Sequence, residues 1–347
     1  MTELHDRPPL AVVTGANTGL GLETTKGLLS EGYRVIVAAR NPDKGHAAVG
    51  ALRGESPGVD VRFEPLDLDS LASVRDFAAN LRASENSLAL LINNAGIMAL
   101  PLRKLTQDGF ERQLGVNYLG HFLLTSLLLP LLVSAPAPRV VQLSSLAHRG
   151  GQIDFDDLQG ERRYDPWRAY RQSKLAMLLF SQALQRHSDD EGWGLTSLAA
   201  HPGLARTALF DHGVKSRAVV GSLFKVLMPW ISQTAAAGAR PTLHAATASD
   251  VRPGDYLGPA GIAETRGAPK RAHMSPAARD RAIAERLWQV SCELTGARWH
   301  RADCLAGRPG SVLGQCSVSE PIMNQFGSPY EPHRRNIRLI SQTERIR

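Results

Sequence analysis

The segment LAVVTGANTGLG, residues 10–21, decides the fold of this 347-residue chain. Its apolar start predicts a short buried strand over 10–14, and three glycines follow before a helical pattern that runs to Ser30. Glycines between a strand and a helix allow a tight turn and let the backbone approach a pyrophosphate at the helix N-terminus. The spacing G-x-x-x-G-x-G differs from the G-x-G-x-x-G fingerprint, so the strand-turn-helix context carries the prediction of nucleotide binding. The candidate contacts are Gly15, Asn17, Thr18, Gly19, Leu20 and Gly21.

The same succession of apolar strands and helical segments continues along the chain. Further strands are predicted at 34–39, 61–65, 88–93, 139–143 and 195–200, then a helix at 234–247, a short strand near 255–257 and a last helix at 276–294. The strands lack polar alternation, which is typical of a parallel sheet that is covered on both faces. We therefore predict an α/β fold, a doubly wound parallel sheet of the Rossmann type, in a single domain over residues 1–302.

Two segments depart from this pattern. Residues 204–233 scatter apolar side chains among Lys215, Arg217 and Lys225, which predicts an amphipathic insertion. We interpret it as a lid over an apolar substrate pocket, with an oligomer contact or a membrane-surface contact as alternatives. Residues 303–347 are rich in Gly, Pro, Ser and Arg without periodicity, so we expect a mostly disordered tail that folding and cofactor binding do not need.

The composition excludes several classes of function. A hydrophobic share of 43% and a charged share of 21% are those of an ordinary globular chain. The formal charge of +7 is modest, and basic residues do not interleave with aromatic ones as at a nucleic-acid interface. Three cysteines without a C-x-x-C pair fit a reducing cytoplasm. His121, His148 and His201 share no ligand spacing, so no metal site is predicted.

No membrane-spanning segment is expected. Residues 1–9 are polar with two prolines, unlike a signal peptide. The longest apolar run, 119–133, contains His121 and Pro130 and is shorter than the roughly 20 residues that span a bilayer. We predict a buried helix there and a cytoplasmic protein, and a homo-oligomer remains open.

The end of the second strand indicates which dinucleotide binds. An acidic residue at this position would accept hydrogen bonds from the ribose 2′-hydroxyl of NAD. The chain instead has Arg40, with Lys44 nearby, and an arginine suits the 2′-phosphate of NADP. NADP is the predicted cofactor.

The segment YRQSK, residues 170–174, carries the predicted chemistry. On a helix, residues four apart lie on one face, so the Tyr170 hydroxyl and the Lys174 ammonium can point into the same cleft. A cation beside a phenol favours the phenolate and lowers its pKa from about 10. Together with an oxidised nicotinamide ring, Lys174 is expected to make Tyr170 an acid/base that exchanges a proton with an alcohol or carbonyl oxygen.

Several motifs, in this order, resemble the short-chain dehydrogenase/reductase family over about residues 8–300. They are TGANTGLG (14–21), Asp67-Leu68, NNAG (93–96), Asn117 in GVNYLGHF, the serine pair in VVQLSS (140–145), YRQSK (170–174) and HPG (201–203). Within the family the chain looks most like the retinol dehydrogenase-like group, through INNAGIM, SSLAHRGG and DFDDLQGERRY. The resemblance implies an oxidoreductase that transfers a hydride.

The resemblance also implies cofactor contacts. Asp67, with Leu68 beside it, would accept a hydrogen bond from the adenine amino group. The strand end that follows would pack along the adenosine side of the cofactor through Asn94, Ala95 and Gly96. The backbone of Pro202 and Gly203 would contact the nicotinamide amide.

The same resemblance implies the catalytic roles. Ser144 and Ser145 are both candidates for binding the substrate oxygen, and Ser145 is preferred because the second serine is active in similar sequences. Tyr170 would be the general acid/base. Lys174 would hold the nicotinamide ribose besides tuning Tyr170, and Asn117 would hold a water in a proton relay to Lys174.

We therefore hypothesise an NADP-dependent oxidoreductase that interconverts an apolar-leaning aldehyde or ketone and its alcohol. The alternative is a protein that binds NADP(H) as a sensor or scaffold without catalysis. A complete set of Asn117, Ser145, Tyr170 and Lys174 argues against that alternative, because a sensor needs no proton relay.

Overall fold

Buried apolar strands form the centre of the fold. The structure is a computed structural model and describes residues 7–204 and 233–299. Its strands are β1 (Leu10–Thr14), β2 (Arg34–Ala39), β3 (Val61–Pro65), β4 (Leu90–Asn93), β5 (Arg139–Leu143), β6 (Thr196–Ala200), β7 (Tyr256–Pro259) and β8 (Pro269–Arg271). Within the described ranges they form one eight-stranded sheet in the order β3-β2-β1-β4-β5-β6-β7-β8. Strands β1 to β7 are parallel, which confirms the predicted doubly wound sheet.

The strand order changes direction between β1 and β4, and a crevice lies at this point of the sheet. β2 and β3 lie on one side of β1, whereas β4 to β7 lie on the other. Successive connections therefore diverge at the carboxyl ends of β1 and β4, which are Thr14 and Asn93. Open α/β sheets bind their ligands at this point. The glycine turn follows Thr14 directly, so it lies in the crevice.

Seven helices flank the sheet in the described part of the chain. They are α1 (Gly19–Ser30), α2 (Pro42–Glu55), α3 (Leu71–Ser84), α4 (Arg112–Leu132), α5 (Pro166–Glu191), α6 (Ala235–Thr247) and α7 (Arg281–Thr295). A side chain accepts a backbone N–H at the start of every helix except α1, and the capping residues are Asn41, Ser70, Glu111, Asp165, Thr234 and Asp280.

Three details differ from the prediction. The strand predicted at 88–93 begins at Leu90, because the Leu88 N–H donates to the carbonyl of Leu131 instead of to a strand. The helix predicted at 276–294 starts as a 3-10 turn, and Asp280, with ψ of 108°, interrupts it and caps α7. β8 was not predicted, since three residues of sequence PKR carry no periodic pattern.

α4 contains the apolar run that was predicted to be a buried helix. By length and composition alone it could cross a membrane, with 21 residues and a mean hydropathy of 1.4. However, 83% of its most apolar window is buried inside the fold, against α3 and β4. These are the properties of a core helix. A π-helical turn over Gly115–Leu119 interrupts it, a feature that often occurs at functional sites.

Aromatic side chains close the fold behind α4 and α5. Trp288 of α7 and Trp299 pack on Phe122 and Phe180, with ring centroids 5.1 to 6.0 Å apart. Trp193 stacks on Trp299 at 6.1 Å, and Trp288 lies 4.4 Å from Trp299. All five rings are buried, and they are named the aromatic cluster below. Trp299, near the end of the described residues, is therefore part of the core.

Two predicted segments lie outside the described residues. They are the tail at 303–347 and, apart from residues 204 and 233 at its ends, the insertion at 204–233. The described residues all belong to one compact unit, Met1–Gly307. The dispensability of the tail therefore stays a prediction, and the aromatic cluster shows where a truncation should stop being tolerated.

A chain that ends at Arg301 is expected to keep the melting temperature of the full chain, whereas one that ends at Ala297 should melt well below it. The shorter chain lacks Trp299, and loss of a buried tryptophan side chain typically costs about 3 to 5 kcal/mol of stability. Thermal unfolding of both truncations measures the difference. Equal melting temperatures would show that Trp299 does not support the core.

Candidate functional site

The glycine turn has a backbone geometry that favours glycine. Gly15 and Gly19 have φ of 64° and 57°, in the left-handed region that favours glycine. A Cβ at Gly21 would lie 2.4 Å from the Gly15 carbonyl oxygen and 2.6 Å from Asn94 Nδ2. α1 therefore begins in close contact with the ends of β1 and β4. No side-chain cap bonds to the first turn of α1, which is consistent with the prediction that its backbone N–H groups bind a pyrophosphate.

The other predicted contacts of this turn lie around its rim. Thr18 is exposed and precedes α1 with extended backbone, and Asn17 is half-buried. Leu20 is also half-buried and packs on the core behind the sheet. These positions fit a bound dinucleotide, and their contacts with it stay predictions.

A buried network that was not predicted joins the turn to β4 and α4. Thr14 Oγ1 accepts the backbone N–H groups of Asn94 and Ala95, both at 2.9 Å. Burial lowers the pKa of His121 to about 4, so its ring is neutral. His121 Nδ1 lies 2.9 Å from the Asn117 carbonyl oxygen, which can only accept, so Nδ1 carries the proton. Nε2 therefore accepts the Thr14 hydroxyl at 2.9 Å, and the network fixes all these groups relative to one another.

The predicted adenosine contacts lie at the ends of β2 and β3. Arg40 directly follows β2 and is exposed. Asp67 follows β3, and one carboxylate oxygen accepts the N–H of Asp69 at 3.1 Å. Ser70, rather than Asp67, caps α3, so Asp67 does not serve as a helix cap. Leu68 is buried beside it.

Ser145, Tyr170 and Lys174 meet in one cleft. Tyr170 and Lys174 lie on the inward face of α5, where they are 7% and 5% exposed. The Ser145 side chain lies beside the Tyr170 hydroxyl, close enough to act on its pKa. Lys174 Nζ lies 5.9 Å from the centre of the Tyr170 ring and donates to the Leu143 carbonyl at 3.0 Å. The Ser144 hydroxyl donates to the Lys174 carbonyl at 2.8 Å, so Ser145 is the serine that faces Tyr170.

Burial shifts the pKa values of two side chains in this cleft. It raises the pKa of Tyr170, and the Ser145 side chain opposes this only partly. Burial also lowers the pKa of Lys174 to about 8. In the protein groups alone, both buried side chains favour their neutral forms. The lowering of the Tyr170 pKa by Lys174 together with an oxidised nicotinamide ring stays a prediction.

Asn117 lies in the π-helical turn of α4, and its side chain is engaged by protein groups. Nδ2 donates to the Ile97 carbonyl and to Ser173 Oγ, both at 2.9 Å, and Oδ1 accepts the Ile97 N–H at 2.8 Å. Asn117 thus anchors the segment after β4 to α5. A Cβ at Gly96 would lie 3.3 Å from Asn117 Oδ1 and 3.4 Å from Lys174 Nζ, so the predicted relay between them would pass Gly96.

The turn after β6 contains the predicted nicotinamide contacts, Pro202 and Gly203. Gly203 has φ of 63°, and a Cβ there would lie 2.2 Å from the Thr265 carbonyl oxygen. Buried His201 accepts the Gly203 N–H through Nδ1 at 3.2 Å. Its Nε2 lies 3.2 Å from Glu264, a residue that was not predicted to be near the site. The turn is therefore held from inside the protein.

Hydrogen bonds engage the ring nitrogens of the three histidines His121, His148 and His201. His121 and His201 use both ring nitrogens as described above. His148 lies with Nδ1 2.7 Å from the Ser145 carbonyl oxygen. Within residues 7–204 and 233–299, no three His, Cys, Asp or Glu side chains are grouped as metal ligands.

The order of these motifs matches a known family. The model of the short chain dehydrogenase family matches residues 9–217. The chain belongs to this family. Retinol dehydrogenase 12 of Homo sapiens is 45% identical to this short-chain dehydrogenase over 293 residues, 84% of this chain and 87% of the relative. Polyprenol dehydrogenase of Mus musculus is 40% identical over 315 residues, 86% of this chain and 90% of the relative.

Solved structures share the fold of this short-chain dehydrogenase. The crystal structure of an uncharacterised protein from Mycobacterium paratuberculosis is 40% identical, with a TM-score of 0.69 over 85% of this chain and 97% of that one. The RhlG/NADP active-site complex from Pseudomonas aeruginosa is 24% identical, with a TM-score of 0.57 over 72% of this chain and 93% of that one. The chain is thus an oxidoreductase with a nicotinamide cofactor, similar to the retinol dehydrogenases.

Proposed function

We propose that this short-chain dehydrogenase interconverts an apolar-leaning aldehyde or ketone and its alcohol, with NADP(H) as the hydride carrier. The observation that carries the proposal is the position of the Ser145 side chain beside the Tyr170 hydroxyl, with Lys174 next to both. Two hydroxyl groups that converge on one point can hold a carbonyl oxygen and stabilise the negative charge that develops on it. The pair lies at the carboxyl edge of the sheet, the usual ligand position in this fold.

The protein groups divide the chemistry between them. In reduction, Ser145 and Tyr170 donate hydrogen bonds to the substrate oxygen, and Tyr170 then gives it a proton. The raised pKa of Tyr170 keeps that proton in place until the oxygen becomes basic. The cofactor supplies the hydride and, when oxidised, a positive ring beside Tyr170 that favours the phenolate in the reverse reaction. Lys174 holds the ribose and stabilises the phenolate.

The residues fit the proposed cofactor. Because Gly21 has no Cβ, the N-terminus of α1 packs directly on the glycine turn, and its backbone N–H groups would hold a pyrophosphate there. Asp67, Asn94 and Ala95 would hold the adenosine half, and Pro202 and Gly203 would hold the nicotinamide half.

An apolar wall supports the proposed substrate class. Met98 and Ala99 are buried against Tyr170, with Ala147 beside them. The Trp167 ring lies 6.0 Å from that of Tyr170 and is 40% exposed, so it can extend the wall toward solvent. The names of two relatives include retinol and polyprenol, which are long apolar alcohols. We therefore propose a long apolar alcohol or aldehyde. The cytoplasmic location stays a prediction.

An NADPH-oxidation screen tests this proposal. Aldehydes and ketones graded in length and polarity are incubated with the full chain, and turnover is expected to rise with apolar length. The alternative, a sensor or scaffold that binds NADP(H) without catalysis, would give tight NADPH binding and no turnover of any carbonyl compound. Turnover that favours short polar carbonyls would contradict the proposed substrate class.

Arg40→Asp is expected to reverse the cofactor preference. A charge-assisted hydrogen bond to the 2′-phosphate is worth about 1.5 to 3 kcal/mol, so the unmodified protein should prefer NADP(H) roughly ten- to a hundredfold. Cofactor titrations with NADPH and NADH measure both affinities. Arg82→Asp, the same charge change at an exposed position on α3, is the control and should alter neither. Equal affinity of the unmodified protein for both cofactors would contradict the assignment of Arg40.

A further inference from the structure

Glu264 lies after β7, in a backbone conformation that side chains rarely adopt. It ends the short 3-10 turn Ile262–Glu264, where Ala263 and Glu264 have φ of 51° and 58°. Two successive non-glycine residues in the left-handed region store strain, and such strain persists only where surrounding contacts maintain it. The contacts of the Glu264 side chain show what maintains it here.

Both carboxylate oxygens of Glu264 have partners. Oε2 accepts from an Arg149 guanidinium nitrogen at 2.6 Å and lies 3.2 Å from His201 Nε2. Oε1 accepts the backbone N–H of His273 at 3.0 Å. The side chain is only 11% exposed, so these charge-assisted bonds are largely shielded from water.

One of these bonds determines the tautomer of His201. A carboxylate oxygen accepts, so Nε2 carries the ring proton, and Nδ1 is left to accept the Gly203 N–H at 3.2 Å. Burial lowers the pKa of His201 to about 4, so the ring is neutral with a single proton. The Leu204 N–H also donates to the Thr265 carbonyl at 2.8 Å. Residues 264 and 265 thus hold the turn at 201–204.

The other bond reaches the serine side of the cleft. Arg149 belongs to the 3-10 turn Leu146–Gly150, which Ser145 caps. In the same turn, His148 Nδ1 donates to the Ser145 carbonyl oxygen at 2.7 Å, and Nε2 accepts the Ser275 N–H at 3.3 Å. The segment 264–275 therefore holds the Ser145 turn at two points, one of which is the Glu264 carboxylate.

We propose that Glu264 is a positioning residue for this enzyme, because its carboxylate ties the Ser145 turn to the Pro202-Gly203 turn. The proposal rests on the function proposed above, in which these turns hold the substrate oxygen and the nicotinamide. None of the bonds of Glu264 reaches the adenosine side of the crevice, at Arg40 and Asp67. Its loss should therefore affect only the nicotinamide half of the cofactor and the catalytic step.

Glu264→Gln tests the proposal, because it keeps the size of the side chain and removes the charge that Arg149 pairs with. Calorimetric titrations of the full chain measure the affinities for NADPH and for adenosine 2′,5′-bisphosphate, the half of NADPH without nicotinamide. NADPH binding is expected to weaken about ten- to a hundredfold, the usual loss for a charge-assisted bond, while bisphosphate binding stays unchanged. The kcat on a carbonyl substrate should fall as well.

Arg149→Gln is a second variant, in case Glu264→Gln does not fold. The Arg149 side chain is 36% exposed, so its replacement is tolerated more easily, and the same split between the two ligands should appear with a smaller loss. Glu85→Gln is the matched control. The Glu85 side chain is 8% exposed and bridges Arg34 and Arg62 beside the start of β2, so its loss should lower the melting temperature and leave both affinities unchanged.

The outcomes separate this inference from the proposed function. Weakening of both ligands to the same extent, or of neither, would overturn the role of Glu264, as would a lower melting temperature alone. If the unmodified protein binds neither ligand, the NADP assignment fails. In that case the titrations use NADH and ADP-ribose in place of NADPH and the bisphosphate. Glu264→Gln must then weaken binding of NADH and leave binding of ADP-ribose unchanged.

Discussion

Tyr170→Phe is expected to lower turnover about 10²- to 10⁴-fold, the usual contribution of general acid catalysis, and to leave NADPH affinity nearly unchanged. The substitution keeps the ring that packs on Met98 and Ala99 and removes only the hydroxyl beside Ser145. The candidate pyrophosphate and adenosine contacts lie elsewhere, at the glycine turn and at the ends of β2 and β3. Steady-state kinetics with a turned-over carbonyl compound, together with NADPH titration, measure the two effects separately.

Tyr118→Phe is the matched control for this variant. Tyr118 is a buried tyrosine of α4 whose hydroxyl lies 2.7 Å from Ser291 Oγ, against α7. Its replacement removes one buried hydrogen bond, worth about 1 kcal/mol of stability, and should leave turnover intact. If Tyr170→Phe retains full turnover, the proposed acid/base is refuted. If both variants lose turnover alike, the loss reports packing and does not identify a proton donor.

Lys174→Met is expected to eliminate measurable turnover and to weaken NADPH binding, yet to leave the fold as stable as before or more stable. Methionine retains most of the apolar stem and removes the cation that the ribose and the phenolate need. The ammonium itself is unfavourable in this position, because burial lowers the pKa of Lys174 to about 8 from 10.5. Its bond to the Leu143 carbonyl offsets only part of this cost.

The stability of the two proteins should therefore differ with pH. The pKa of Lys174 is lower in the folded protein, so the unfolded chain binds more protons between about pH 8 and 10.5, and the stability of the unmodified protein rises across this range. Below pH 8 the penalty is complete, and it amounts to about 3 kcal/mol for a shift of this size. Urea unfolding at pH 7 and at pH 10 measures the difference in unfolding free energy between Lys174→Met and the unmodified protein. This difference should be smaller at pH 10. If Lys174→Met is less stable than the unmodified protein at pH 7, and the difference does not change with pH, burial does not destabilise the Lys174 cation.

The sheet was predictable because each of its main strands is marked by a short, continuous run of apolar residues. Runs of apolar residues between glycine-rich turns define β1, β2, β3 and β5 at the bounds that the structure shows. β8 and the interruption at Asp280 were not predictable in this way. β8 has only three residues, too few to show a strand pattern in the sequence. The interruption of the helix depends on the backbone conformation of Asp280 alone.

The candidate site was predictable to a smaller degree. Motif order indicated Ser145, Tyr170 and Lys174, and the structure brings them into one cleft. The bond between Thr14 and His121 joins residues 107 positions apart, so no short pattern predicts it, although a histidine in an otherwise apolar helix was a usable signal. The same applies to Glu264, which contacts Arg149 across 115 positions. The burial that raises the pKa of Tyr170 in the protein alone was not predictable, because burial depends on the whole fold.

The aromatic cluster also determines what the intrinsic fluorescence of the protein reports. Three of the five tryptophans lie within it, and Trp299 is 4.4 Å from Trp288 and 6.1 Å from Trp193. Indoles this close exchange excitation energy, so their emission behaves as one signal that follows opening of the core. Trp167 is separate from them, and its ring lies 6.0 Å from that of Tyr170, so a nicotinamide bound at the proposed site would be expected to quench it. Among the tryptophans in the described ranges, the aromatic cluster therefore reports unfolding, whereas Trp167 is expected to report ligand binding.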